Sequence, residues 1–549
     1  MLANRKIILL RIFVILFLCL TVRFIYIQIF AGEKFSKAAA AQRVATADLN
    51  KPRGDILDRN GIPFTNRNRK STLVLKPLFL RDKMEEVEKM CQILGLDFNK
   101  IRREIELKKE PILLDTSDDQ KKAVMELNIE GISAINSLDR YDINTLAKHI
   151  LGYLNRMDQI GQTGVEKFYE DQLKQDKENS VVVVTDARDN LLQGIGYRIL
   201  SGEVRNSKIN VQLTLDYHIQ KVVETIMDKH RIKGAIVIED VKTGDVLALA
   251  SKPDFDQNNV GQYLDSPRNE LFNRAVASYN PGSIFKIIDA AAYLESDVMV
   301  NDDYYCTGSI RIGEKEYRCF NGISHGQIDF TQAFAQSCNC YFIKMGIKLG
   351  NKNLLEMAKR FGLGGALGVE NQGIAESSGN LPVKKYFTDG DIANISIGQG
   401  EIMSTPLQAA DITASIVNGG IKNRVNIVSA LVDENGVEVK KIRLIEGKRI
   451  ISRSVADRIK DLMDEVTTSG TGKKARLEEF GGAGGKTGSA ETGQYINGEK
   501  VVHAWFTGYF PKQFPRYSVA VFVEDGKSGS EAAVPVFAEI AEEIIQLGY

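Results

Sequence analysis

Cysteine is scarce in this 549-residue chain: Cys19, Cys91, Cys306, Cys319, Cys338 and Cys340 are all there are. Six is too few for a disulfide-built scaffold. An excess of charge of either sign is also missing, with 71 basic residues against 71 acidic ones. That balance lacks the basic footprint of a nucleic-acid binder, and no nucleic-acid partner is expected. No internal repeat and no low-complexity tail are present, which removes repeat arrays and biased linkers. What remains is the composition of an ordinary globular protein. At this length one hydrophobic core does not suffice, and two or three domains are expected.

Residues Ile7 to Phe30 are apolar apart from Arg11 and Arg23, and Arg5 and Lys6 precede them. The length suits one membrane-spanning helix with the basic flank in the cytoplasm. Arg11 and Arg23 can snorkel toward the interfaces. A cleaved signal peptide is the competing reading, because Ala38 to Ala41 mimics a cleavage site. The apolar run is longer than a signal core, and amphipathic sequence continues past it, so an uncleaved anchor is favoured. The expected order is a cytoplasmic tail at 1–6, a single-pass cell-membrane anchor at 7–30, and an extracytoplasmic remainder.

From Lys34 to Ser207 charged helical stretches mix with short strands, and no nucleophile-base pair is visible. Two turn-rich elements stand out, Lys51 to Gly61 and Gly161 to Tyr169. Arg53, Asp58, Arg59 and Glu166 could join them as a structural clasp. Asp82 to Asp139 reads as charged and helical. From Val211 the texture changes. Val211 to Leu215 alternates as a strand, and Tyr217 to Lys229 reads as a helix. Gly234 to Glu239 and Val246 to Ser251 are apolar strands joined at Lys242-Thr-Gly-Asp245. Ala504 to Phe510 and Tyr517 to Glu524 are two more strands, and Pro535 to Leu547 is a closing helix. Strands at both ends with helices between predict an α+β domain over 211–549.

The chemistry centres on Ser-Tyr-Asn-Pro-Gly-Ser-Ile-Phe-Lys, Ser278 to Lys286. Pro281 and Gly282 make a turn, so Ser283 stands at a helix start with Lys286 one turn on. A serine hydroxyl becomes a nucleophile when a base takes its proton. A lysine can be that base when burial or a nearby cation lowers its pKa. Alone, such a pair reads equally as a surface serine beside a snorkelling lysine. Two further stretches shift that balance: Ser337-Cys338-Asn339, and Lys486-Thr487-Gly488-Ser489 ahead of apolar strand-like runs. Ser-x-x-Lys, Ser-x-Asn and Lys-Thr-Gly in that order form the serine acyl-transferase set of penicillin-binding proteins and serine β-lactamases.

With its N-terminal elements, nearly the whole chain resembles a class B penicillin-binding protein, a monofunctional D,D-transpeptidase of peptidoglycan synthesis. Arg53 to Gly61 resembles part of the family's N-terminal pedestal, here 31–210, and Gly161 to Glu166 its companion. Ser396 to Gly400, Thr405 to Gln408 and His503 to Pro511 resemble stretches of the transpeptidase domain. Ser489 stands where threonine is usual, and Asn280 where an acidic residue is common. The resemblance implies that Ser283 carries the acyl group and Lys286 is the base. It gives Ser337 a proton relay, and has Asn339 bind the substrate amide and hold Lys286. Lys486 and Thr487 suit the terminal carboxylate of the stem peptide, and Gly488 suits an added substrate strand. The N–H groups of Ser283 and Ser489 make the oxyanion hole. It also implies inhibition by β-lactams, a role in cell shape or cell division, and partnership with a SEDS-family glycosyltransferase. The chain itself shows no glycosyltransferase acid pair. A hydrolase would need a convincing water-activating base after Ser337, and that reading leaves the pedestal unexplained.

One constellation lies outside that chemistry. Asp303, Cys306, Cys319 and His325 precede Ser337, with Asp302 as an alternative carboxylate and Cys338 and Cys340 close by in sequence. Two cysteines, a histidine and a carboxylate suit one tetrahedral structural zinc ion. A Cys306–Cys319 disulfide and plain buried thiols are the alternatives.

Overall fold

The computed structural model describes residues 2–27, 44–48, 53–108, 111–155, 158–174, 179–184, 197–201, 208–298, 304–496 and 498–549. An N-terminal helix runs Leu2–Ile25, and its side chains at Leu10, Phe13, Phe17, Leu20 and Phe24 are exposed. Among the described residues no helix is long and apolar enough to cross a membrane.

The chain folds as two compact units that interleave in sequence. One comprises Met1–Arg53, Asn68–Asp139 and Gln175–Asn206; the other comprises Gly54–Arg67, Arg140–Lys174 and Ser207–Tyr549. The expected pedestal is thus shared between them.

In the first unit, strand Asn68–Leu75 pairs antiparallel with Ile112–Thr116 on one side and Ile132–Asp139 on the other. Helices Met84–Leu94, Phe98–Leu107 and Asp118–Glu126 pack with this sheet, and a second antiparallel sheet joins Val44–Asp48, Asn179–Val184 and Tyr197–Ser201. Leu73, Val87, Met90, Ile101, Ile105 and Val124 form its core. The stretch from Asp82 to Asp139, expected to be helical throughout, therefore also carries two strands. Ile112 and Ile132, short apolar spots in charged sequence, are buried there against the helices.

In the second unit, Ile56–Leu57 lies parallel to Asn210–Leu213, beside Val428–Val432 and Glu438–Lys441. The strand expected to open the main sheet thus belongs to this small one. Asn210 binds it there, accepting from Asp55 N–H at 2.8 Å. The two turn-rich elements are joined through Arg140, which donates to Gly54 O at 2.7 Å and pairs with Glu166. Glu166 is buried against Arg140 and Tyr141, at 2.7 and 2.8 Å. Asp58 accepts from the N–H groups of Asn60 and Ile62 in its own turn and from the distant Tyr217 N–H at 3.1 Å.

The elements that build the main sheet, its faces and the site are α1 (Tyr217–Lys229), β1 (Gly234–Asp240), β2 (Val246–Lys252), α2 (Lys286–Leu294), α3 (Asn339–Arg360), α4 (Pro406–Val417), α5 (Arg453–Thr468), β3 (Gly484–Ile496), β4 (Glu499–Phe510), β5 (Tyr517–Val523) and α6 (Val534–Gln546). The sheet order is β2-β1-β5-β4-β3, antiparallel throughout. The two ends of the segment meet at β1 and β5, as the α+β reading expects. Alternation sorts the faces. Ile236, Ile238, Val519 and Val521 pack with α1 and α6. Ala235, Val237, Ala520 and Phe522 pack with Leu407, Ala409 and Ala410 of α4. β3 is the edge strand, so one side of Lys486-Thr487-Gly488 is free of a sheet neighbour.

Candidate active site

Ser283 sits in a 3-10 turn, Gly282–Phe285, and Lys286 begins the α-helix. The sequence predicts one continuous α-helical start. The tighter turn aligns i and i+3 more closely still. The turn is held from three sides. Tyr279 and Ser404 exchange backbone hydrogen bonds. Asn280 Nδ2 donates to the carbonyls of Gly400 and Ile402, at 2.9 and 2.7 Å. Trp505 Nε1 donates to Asn280 O at 3.1 Å. The amide at Asn280 thus donates to carbonyls, which an acidic residue cannot do. Gly398, at φ +65°, lies so close that a Cβ there would meet Gly282 O at 2.1 Å. Ser283 is half-buried, and its hydroxyl has no hydrogen bond to a described residue.

Lys286 is fully buried. Its Nζ donates to Ser337 O at 2.7 Å, Ser337 Oγ at 3.3 Å and Asn339 Oδ1 at 2.8 Å. Asn339 Nδ2 in turn donates to Arg318 O. Ser337 is held at φ +55°, rare for a residue with a side chain and a form of strain found at functional sites. Burial pushes Lys286 down to about 8, against the opposing pull of Cys338, Cys319, Asp289 and Cys340. Asp289, one turn on, gives Lys286 no ion pair. Both its oxygens lack a partner among the described residues, and burial raises its pKa well above the carboxylate range.

Lys486 is also fully buried, and its Nζ donates to Thr487 O at 3.2 Å. Burial, then the charge of Lys286, pushes its pKa well down. The two buried amines repel, so each disfavours the charged form of the other. A substrate carboxylate beside Lys486 would reverse that by favouring the ammonium form. Gly488 has a reason beyond an open strand edge: a Cβ there would meet Pro281 O at 2.9 Å. A Cβ on Gly282 would likewise meet Ser489 O at 2.7 Å. The Lys-Thr-Gly strand and the nucleophile turn are thus pressed together. Ser489 Oγ accepts from Gly529 N–H at 3.2 Å.

This geometry can be set beside known proteins. Residues 234–542 match the penicillin-binding protein transpeptidase domain, and residues 48–196 the penicillin-binding protein dimerisation domain. The chain belongs to the class B penicillin-binding proteins. Stage V sporulation protein D of Bacillus subtilis is 28% identical, over 96% of this chain and 83% of its own length. The peptidoglycan D,D-transpeptidase MrdA of Acinetobacter baumannii is 27% identical, over 95% and 85%. Among solved structures, a chain described under structural coordination of polymerization and crosslinking by a peptidoglycan synthase complex aligns with TM-score 0.68 and 26% identity, covering 98% of both chains.

The penicillin-binding protein brings Ser283, Lys286, Ser337, Asn339, Lys486, Thr487, Gly488 and Ser489 to one site. Sequence reasoning missed Thr471. Its hydroxyl lies 2.6 Å from Thr487 Oγ1, and its N–H donates to Ala335 O. It bridges the segment entering Ser337 to the Lys-Thr-Gly strand. The signal was Ser469-Gly-Thr-Gly472, a hydroxyl between glycines. His149 is buried, its ring nitrogen 2.8 Å from Glu270 O, and burial lowers its pKa to about 4. His503 packs edge-on against Tyr279 and Phe522.

The cysteine-rich segment also closes up. The ligand atoms of Cys306, Cys319, His325 and Cys338 all lie within 4.8 Å of one another. Cys306 Sγ is 3.8 Å from Cys319 Sγ and 3.4 Å from His325 Nδ1; Cys319 Sγ is 3.7 Å from Cys338 Sγ. Asp302 and Asp303 lie outside the described residues. Cys338, between Ser337 and Asn339, brings its Sγ into the same cluster.

Proposed function

We propose that this protein cross-links peptidoglycan as a serine D,D-transpeptidase. The observation that carries the reading is the buried Lys286, hydrogen-bonded to Ser337 and Asn339, one turn from Ser283 and beside a strand carrying Lys486. Ser283 Oγ attacks the carbonyl between the two terminal D-alanines of a stem peptide, and Lys286 accepts its proton. The N–H groups of Ser283 and Ser489 stabilise the oxyanion. The C–N bond breaks. The D-alanine amine takes a proton passed from Lys286 through Ser337, and the acyl group stays on Ser283 as an ester. An amine of a second stem peptide attacks that ester, giving up a proton to Lys286, and the hydroxyl of Ser283 is restored. Lys486, Thr487 and Thr471 hold the donor carboxylate, and the free edge of β3 accepts its backbone. A β-lactam acylates Ser283 in the same way and stays attached. Incubation with pentapeptide-bearing strands should release D-alanine and yield cross-linked dimers in step. D-alanine release without dimers would leave only a carboxypeptidase.

The anchor reading rests on the apolar run Ile7 to Phe30 and on the exposed apolar side chains of helix Leu2–Ile25. It places the catalytic unit outside the membrane, and so near a SEDS-family glycosyltransferase. The likeness to a chain of a peptidoglycan synthase complex supports that partnership. Protein purified from membranes should retain residues 7–30 at its N-terminus; a mature start near Ala41 would contradict the anchor.

Cys306, Cys319, Cys338 and His325 hold one structural zinc ion in this reading. A zinc–sulfur bond of about 2.3 Å makes a tetrahedral S···S edge of about 3.8 Å and an S···N edge of about 3.6 Å, close to the spacings found. The ion would pin Cys338, and with it Ser337 and Asn339 on either side; it takes no part in acyl transfer. Metal analysis should find about one zinc per chain. A chelator should lower Tm, on the order of 5 °C, and zinc should restore it. Cys319→Ser should lose the metal, while Cys91→Ser, at a buried thiol elsewhere, should keep it. Zinc-free protein with an unchanged Tm would refute the site.

A further inference from the structure

We propose that a basic cavity at the C-terminal end of α3 is a binding site for a diphosphate-bearing anion. The cavity measures about 820 Å³. Strands Ile421–Asn423 and Gly447–Arg449, paired antiparallel, help to line it. Six cations line it, Lys359, Arg360, Lys422, Arg424, Lys448 and Arg449, against one acid, Glu446. The balanced charge of the whole chain conceals this local excess.

Three of the six have work in the fold. Arg360 pairs with Glu295 at 2.9 Å and reaches Ile450 O. Lys422 pairs with the buried Asp411. Arg449 donates to the carbonyls of Gly419 and Ile451, at 2.7 and 3.3 Å. The side chains of Lys359, Arg424 and Lys448 have no ion pair or hydrogen bond among the described residues. Stabilisation of a helix C-terminus accounts for Lys359. It does not account for Arg424 and Lys448, which come from the strand region and converge on the same space.

Like charges held together at a concave wall favour an anion of matching charge. One phosphate carries roughly −1.5 to −2 charges at neutral pH, which leaves one of three cations unmatched; two linked phosphates match all three. The guanidinium fork of Arg424 suits phosphate oxygens, and a lysine on either side supplies point charge. Asn371 and Asn423 and the glycines at 362, 368 and 447 leave polar groups and bare backbone for the rest of such a ligand. A free diphosphate and a phosphodiester polymer share this chemistry.

Isothermal titration of the full chain with inorganic pyrophosphate, and separately with poly(glycerol phosphate), tests the site. Pyrophosphate should bind with one-to-one stoichiometry. Arg424→Ala and Lys448→Ala should each weaken it about tenfold or more, as expected for losing a charge-assisted contact. Lys440→Ala, at an exposed lysine outside the cavity, should change nothing. Penicillin acylation of all three variants should stay normal, showing that they fold. Tighter binding of the polymer would name a phosphodiester chain as the source; preference for pyrophosphate would name a free diphosphate. Absence of binding by both probes at millimolar concentration, or binding indifferent to Arg424 and Lys448, would overturn the proposal.

Discussion

Ser283→Ala should show no covalent labelling by fluorescent penicillin and no D-alanine release, while folding normally. The side chain carries the acyl group, so its loss leaves no ester to form, and a neighbouring hydroxyl cannot stand in. Ser337 Oγ is bound to Lys286, and Thr487 Oγ1 to Thr471. Ser283 Oγ makes no hydrogen bond to a described residue, so removing it should shift stability by no more than about 0.5 kcal/mol. Labelling of the variant at the wild-type rate would show that another residue is the nucleophile. A loss of labelling accompanied by unfolding would contradict the weak structural role given to this hydroxyl.

Lys286→Ala should acylate on the order of a hundredfold to ten-thousandfold more slowly, the usual cost of losing a positioned base. The pH dependence separates a base from a merely structural lysine. Burial brings Lys286 down to about 8. The neutral amine is the active form, and its share grows as pH rises. Wild-type acylation should therefore climb about tenfold per unit below pH 8 and level off above it. In Lys286→Ala that climb should vanish. The variant also frees Ser337 and Asn339, so some loss of Tm is expected alongside. A wild-type profile that is flat from pH 6 to 9, or that keeps its climb in the variant, would assign the proton to a different group.

How far the sequence foretold this molecule depends on the range of the interaction. The acyl-transfer set was legible because its three pieces are short and each keeps its own local geometry: a turn before Ser283, a helix start at Asn339, a strand at Lys486. The strands β1, β2, β4 and β5 were legible from their apolar runs. What escaped was carried by contacts between segments distant in sequence. The strand at Asn210–Leu213 reads as a partner for the main sheet, yet it pairs with Ile56–Leu57 and Val428–Val432. Thr471 has no motif of its own and matters only because the chain brings it to Thr487. Gly488 reads as room for an added substrate strand, and it proves also to be a close contact with the nucleophile turn. At the cysteine cluster four ligands were named; Asp303 lies outside the described residues, and Cys338, which reads as filler between Ser337 and Asn339, lies with the other three.

The measurement that tests the central claim most directly is peptide mapping of the wild-type protein after penicillin treatment. Intact mass should rise by one penicillin per chain, and fragmentation should place the whole increment on Ser283, within the peptide that holds Pro281, Gly282 and Lys286. An adduct on any other residue, or no mass increase under conditions where the protein remains folded, would contradict the serine acyl-enzyme on which this account rests.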